Sequence, residues 1–278
     1  MADTTDKRVA DALENTGLFY WILKSMKQFN DHEVNGILLG QLKTNDRENC
    51  FLLVYWRAVD NVNSMLELSD VRHFQTISNL ARTMLELAAD AHLLNTIPNS
   101  VEKLLYFNRL EKLRAARGIL KYESTHTLSV PLNSSPYKAF VAMQGQQIEQ
   151  DGATLWPNLK KLPDLKHWTG LSLDQRAKQV GQPLEEIYQL YNRMLSWYVH
   201  SGGSGVMGLP PETFPAICTL GYRVAALTFE EVILQVAKEF KLPIVDDSIG
   251  KKLEYAKALP LTSSPKLELQ LAKELGLM

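Results

Sequence analysis

The strongest constraint on this chain is the spacing of its apolar residues, which recur every three or four positions over most of its length, while β-branched alternation is nearly absent outside residues 125–132. Such spacing stacks side chains on one side of a 3.6-residue helix and gives a strand no apolar face. Within residues 50–70, Phe51, Val54, Tyr55, Ala58, Val62 and Met65 predict a core helix. Ile77, Leu80, Ala81, Met84, Leu85, Ala88 and Ala91 predict a second, capped by Ser69 or Asp70 and closed by Pro98. A third is expected from about Ser100 to Tyr122, opened by Asn99 or Ser100 and ended by the β-prone run 125–133. Residues 136–150 read as a further helix. Gly152, Pro157, Pro163 and Gly170 make 151–170 a connecting segment, long for a loop, with Trp156 and Trp168 packed on the bundle.

Ser172 and Gln175 have the spacing of a capping box, which opens a short helix ending at Gly181. Pro183 begins the next helix, which reaches His200 and is stopped by Gly202, Gly203 and Gly205. A long helix is expected from about Glu212 to Phe240, and Pro243, Pro260 and Pro265 punctuate two short ones after it. No fixed-period repeat and no low-complexity linker divides the chain. The expectation is an all-α multi-helix bundle over residues 1–242 with a peripheral helical appendage over 243–278.

Composition narrows the classes further. With 278 residues, 45% of them hydrophobic, a core can form without disulfides. Cys50 and Cys218 lie in apolar helical patterns, lack metal-ligand spacing and are too few for a secreted disulfide framework, so a reducing cytoplasm is expected. Residues 1–8 are polar and do not read as a signal peptide, and no stretch is apolar enough to span a bilayer. A net charge of −1 gives the whole molecule no pull toward nucleic acid or anionic membrane, so any anion site is local.

The polar chemistry is densest on the helix ending at His200. Leu184, Ile187, Tyr188, Tyr191, Met194, Leu195 and Tyr198 crowd one half, leaving Glu186, Gln189, Arg193, Ser196 and His200 on the other. Glu186, Arg193 and His200 follow at seven-residue steps and should share an edge of a straight helix. Helical rise puts the backbones of Arg193 and His200 about 10 Å apart, within reach of one phosphate-sized group. Arginine steadies charge on phosphoryl oxygen, and histidine moves a proton near neutral pH. The same residues also suit a solvated edge with a histidine answering the helix C-terminal dipole.

Arg193 and His200, separated by six residues, resemble the Arg-x4-6-His motif of the HEPN superfamily, many of whose members are metal-independent ribonucleases acting as dimers. The chain also resembles an uncharacterised bacterial family of HEPN-like helical proteins in which an Arg-x3-Glu helix precedes a Tyr-x-x-Leu-Ser-x-x-x-His segment. Here these are Arg82 with Glu86, and Tyr191 to His200 with extra residues before Leu195. The resemblance covers residues 50–203, including Trp168 and Arg176. It implies a HEPN-like up-and-down core in which Arg193 and His200 are catalytic and Ser196, Asn192, Arg82 and Glu86 support them. RNA or a nucleotide is the implied partner, in a homo-oligomer and most simply a dimer. A non-enzymatic binding module and a dimeric scaffold are the alternatives.

Other constellations are weaker. Arg82, Glu86 and Asp90 follow at four-residue steps opposite the apolar stripe of their helix, which suits either a charged exterior or a polar pocket that orients Arg193 or His200. Lys103, Arg109, Lys112, Arg114, Arg117 and Lys121 outnumber Glu102, Glu111 and Glu123, and Lys103, Arg114, Arg117 and Lys121 share a face that could follow a phosphate backbone or simply be solvated. Glu123 and His126 have a di-iron spacing that occurs once, at a helix end, so no metal or other cofactor is expected. The glycine run 201–208 lacks a P-loop lysine and reads as a cap and hinge.

Overall fold

The computed structural model describes residues 2–40, 45–126, 133–157, 165–199, 209–242, 253, 254, 257 and 258. Among these the fold is all-α, with no strand. Helix α1 is Ala2–Phe29, continued by π-helical Asn30–Asn35 and α2, Gly36–Leu39. Then come α3 (Asp46–Glu67), α4 (Phe74–Thr96), α5 (Ser100–Thr125) and α6 (Ser135–Leu155). Helix α7 is Leu173–Val180 and α8 is Leu184–Ile187, followed by a π segment, Tyr188–Asn192, and α9, Arg193–Val199. The last long helix, α10, is Phe214–Glu239. No described helix is long and apolar enough to cross a membrane.

The caps explain where helices begin. Asn45 and Glu48 form a reciprocal capping box that starts α3 four residues ahead of Cys50. Asp70 accepts from the Arg72 backbone N–H at 2.8 Å and caps a single 3-10 turn, Val71–His73, so the expected start at Ser69 or Asp70 is separated from α4 by that turn. Ser172 and Gln175 exchange the bonds expected of them, at 2.9 and 3.3 Å.

The chain falls into two compact units, one of Met1–Leu93 with Arg176–Met278 and one of Leu94–Gln175. In the first, α10 packs along α1 and against α3. All six residues expected on the apolar face of α3 are buried, as are those of α4 apart from half-buried Leu80. Helix α4 meets α10 at Gly221, where a Cβ would fall 2.6 Å from Ile77 Cγ2, so this crossing needs a residue without a side chain. Helix α1 was not expected. Its buried face mixes Leu23 and Met26 with Thr16 and Ser25, which blurs the apolar period. Thr16 Oγ1 lies 2.7 Å from the Pro215 carbonyl and from Thr219 Oγ1, and this pairing offsets the cost of burying a hydroxyl.

In the second unit α5 and α6 enclose Tyr106, Leu110, Leu113, Ile148 and Leu165, and the Tyr106 hydroxyl donates to the Ile148 carbonyl at 2.7 Å. Helix α6 runs past Gln150 to Leu155, with Gly152 buried within it. The first five residues expected to connect are therefore helical. Trp156 then packs on Tyr106 with ring centroids 5.3 Å apart, and Trp168 is buried. Residues 158–164 lie outside the described residues. Of the expected appendage, Leu253 is buried and Lys257 pairs with Glu230 of α10; residues 243–252, 255, 256 and 259–278 lie outside the described residues.

Candidate functional site

The segment carrying Arg193 is helical throughout its described length, but not uniformly so. The π segment Tyr188–Asn192 takes more residues per turn than an α-helix, so the seven-residue step from Glu186 to Arg193 no longer returns to the same edge. The edge expected of a straight helix is broken there, and Glu186 leaves it. Leu184, Ile187 and Leu195 are buried, whereas Met194, assigned to the apolar half, is exposed. Short π segments inside helices concentrate at functional positions, and this one lies immediately before Arg193.

Arg193 is exposed and its guanidinium sits over the Trp197 ring, 5.9 Å from the centroid. Trp197 itself is 48% exposed. The pair offers a cation and an aromatic face on adjacent turns. Ser196 Oγ donates to the Asn192 carbonyl at 2.7 Å, so it is turned into its own helix. Asn192 Oδ1 is buried with no hydrogen-bond partner. His200 and the glycine run 201–208 lie outside the described residues.

Arg82, Glu86 and Asp90 share an edge of α4, and the side chain they meet is Arg176 of α7. Glu86 pairs with Arg82 Nη2 at 3.2 Å through Oε1 and faces Arg176 Nη2 at 3.8 Å through Oε2. Arg176 Nη1 donates to Asp90 Oδ1 at 2.9 Å, and only 5% of the Arg176 side chain reaches solvent. Two guanidiniums and two carboxylates cancel in charge, which lets the group sit half-buried. Glu86 uses both oxygens on arginines, so it serves as an anchor and not as a free base. The Arg82 side chain is partly exposed, while its Nε is buried without a hydrogen-bond partner.

The basic face of α5 is partly answered within its own unit. Arg117 pairs with Glu149 of α6 at 2.7 Å and Arg114 pairs with Glu111; Lys121 is exposed and Lys103 half-buried. Arg109 meets Asp151 at 3.2 Å. Glu123 approaches Lys138 at 3.9 Å, and His126 stacks on Tyr122 with centroids 4.1 Å apart. Among the described residues no group of His, Cys, Asp and Glu could hold a metal ion. Burial, with the Asp70 carboxylate adding to it, pushes the Cys218 thiol up to about 12, so it is no nucleophile at neutral pH.

Two participants escape a reading of the sequence. Trp197 stands four residues after Arg193 within α9, an i,i+4 spacing that the sequence carries but that does not by itself mark an indole as exposed. Arg223 of α10 lies with its guanidinium 5.6 Å from the Tyr191 ring and 5.8 Å from that of Phe19, a meeting of three distant segments that no local pattern announces.

The profile of a family of unknown function (DUF5677) matches residues 48–209, more than half of the chain and nearly the whole of α3 to α9. No curated protein and no solved structure matches the chain.

Proposed function

The chain belongs to this family of unknown function (DUF5677), and on that premise we propose that it is a HEPN-like protein acting on RNA or a nucleotide without a metal. The observation that carries the reading is the exposed Arg193–Trp197 pair. An indole face stacks a base of any identity, and a guanidinium beside it takes the phosphate. His200 follows one residue beyond α9 and supplies the proton chemistry. A ribose hydroxyl attacks the adjacent phosphorus, and the bond to the departing ribose oxygen breaks. His200 takes the proton from the first oxygen and returns one to the second, while Arg193 steadies the charge on phosphorus. The lattice of Arg82, Glu86, Asp90 and Arg176 supports the helices in this role and holds no reacting atom.

The test is incubation of the purified full chain with mixed RNA in the presence of a chelator. Cleavage is expected, and it should vanish in His200→Ala. Cleavage that persists unchanged in that variant would overturn the enzymatic reading.

A second reading, a homodimeric binding module without turnover, is favoured by a different observation. Leu190, Met194 and Trp197 are 52%, 37% and 48% exposed on successive turns of this segment, an apolar stripe of the kind that marks interfaces. Sedimentation of wild type and Met194→Glu separates the two. Dimers lost in the variant, with no RNA cleaved by either protein, support the module.

A further inference from the structure

The first unit carries a cleft of about 360 Å³ that the reading above does not use. Phe19, Ile22 and Met26 of α1 form one wall and Ala226 and Leu227 of α10 another, so its floor is apolar. Its remaining wall is Glu254, Lys257 and Ala258. All of these lie outside residues 48–209, so the cleft belongs to the flanks of the family-matched region.

The charged groups at the rim are not equivalent. Lys257 Nζ bonds both oxygens of Glu230 at 2.9 Å and Glu254 Oε1 at 2.6 Å, which ties Glu254 and Lys257 to α10 at one end of the lining. Burial raises the Glu230 carboxyl above its ordinary range even against Lys257, which marks that end as poorly hydrated. Arg223 stands at the rim with its guanidinium beside two rings, Phe19 and Tyr191, and no described carboxylate answers it. Rings beside a guanidinium restrict its orientation while leaving N–H groups to meet a planar anion in bidentate fashion. An apolar trough with one unanswered, oriented cation at its edge matches a molecule of the same design. The volume falls in the range of small-molecule sites, which runs from about 300 to 1,000 Å³.

We propose that this cleft binds a small amphipathic carboxylate, with its apolar body against Phe19, Ile22, Met26 and Leu227 and its headgroup on Arg223. The complementarity is between one cation and one anion, joined to an apolar surface.

Calorimetric titration of the full-length protein with sodium decanoate, below its micelle concentration, tests this directly. Decanoate is expected to bind, acetate not to bind, and decanol to bind more weakly than decanoate. Arg223→Gln should weaken decanoate by about tenfold or more, as loss of a charge-assisted hydrogen bond implies, and leave decanol unchanged. Arg223→Lys should keep part of the affinity, and circular dichroism of each variant checks that it is folded. No decanoate binding by the wild type overturns the proposal. So does an affinity that Arg223→Gln leaves intact. RNA cleavage in the His200 experiment depends on none of these outcomes, so each inference can fail alone.

Discussion

Arg176 and Arg193 lie in the same unit, seventeen positions apart in sequence, and the fold treats them in opposite ways. Arg176 is buried to all but 5% of its side chain and is held by Asp90 at 2.9 Å with Glu86 beyond it. Arg193 is exposed and rests on the exposed face of Trp197. A guanidinium taken out of water must be matched by carboxylates, and once matched it has little left for a ligand. One left at the surface contributes little to stability and remains free to act. The contrast separates sequestered from accessible charge between two side chains of one type.

The largest expected effect breaks the buried side. Arg176→Ala takes from half-buried Asp90 the guanidinium 2.9 Å away and leaves Glu86 to Arg82; it should lower unfolding stability by about 3 kcal/mol, measured by urea denaturation, since breaking a buried pair typically costs that much or more. A loss no greater than that of Arg193→Ala would erase the contrast.

Next comes the packing of α4 on α10. Gly221→Ala places a methyl 2.6 Å from Ile77 Cγ2 and should cost about 1–3 kcal/mol. The penalty should shrink in an Ile77→Ala background, a coupling that a double-mutant cycle reads. Simple additivity of the two changes would show that the helices do not meet as described.

On the exposed side, Arg193→Ala and Trp197→Ala should each change stability by no more than about 0.5 kcal/mol. Both should weaken binding of a fluorescent oligoribonucleotide, with a shallower salt dependence for Arg193→Ala, because it removes a phosphate contact. Unaltered RNA affinity in both variants would leave the surface pair without the role proposed for it.

The smallest effect belongs to an ion pair that, like Arg193, stands in water. The side-chain and backbone hydrogen bonds from Arg72 hold the Asp70 carboxyl down at about 2, from an ordinary 3.8. A lowered folded-state value stabilises the fold above the ordinary value, and that contribution is lost as pH falls from about 3.8 toward 2. Asp70→Asn should therefore flatten the acid limb of a stability profile in that window. The effect should fade in high salt, unlike that of Arg176, because exposed pairs are screened.

How much of this could be read beforehand varies by region. The faces of α3 and α4 were legible because single-sided burial imposes a 3.6-residue period on the residues themselves. Helix α1 was not, since Thr16 and Ser25 occupy part of its buried face and Thr16 is satisfied there by α10. The expected edge of Glu186, Arg193 and His200 rested on an unbroken α-helix, and the π segment at Tyr188–Asn192 moved Glu186 off it. Arg82, Glu86 and Asp90 were placed on one edge correctly, with a solvated exterior and a polar pocket left open. The half-buried outcome followed from Arg176, whose approach from α7 has no local signature.

The sequence alone determined what is local: the all-α class, the apolar faces of the central helices, and caps such as Ser172 with Gln175. Each is set within about one or two helical turns by side-chain spacing and short-range hydrogen bonds. Tertiary structure alone decided which arginine is sequestered and which is open. It also decided that α4 and α10 touch at Gly221, and that Phe19, Tyr191 and Arg223 meet beside a cleft. Those outcomes depend on which surfaces exclude water from one another, and distant segments settle that only when they pack.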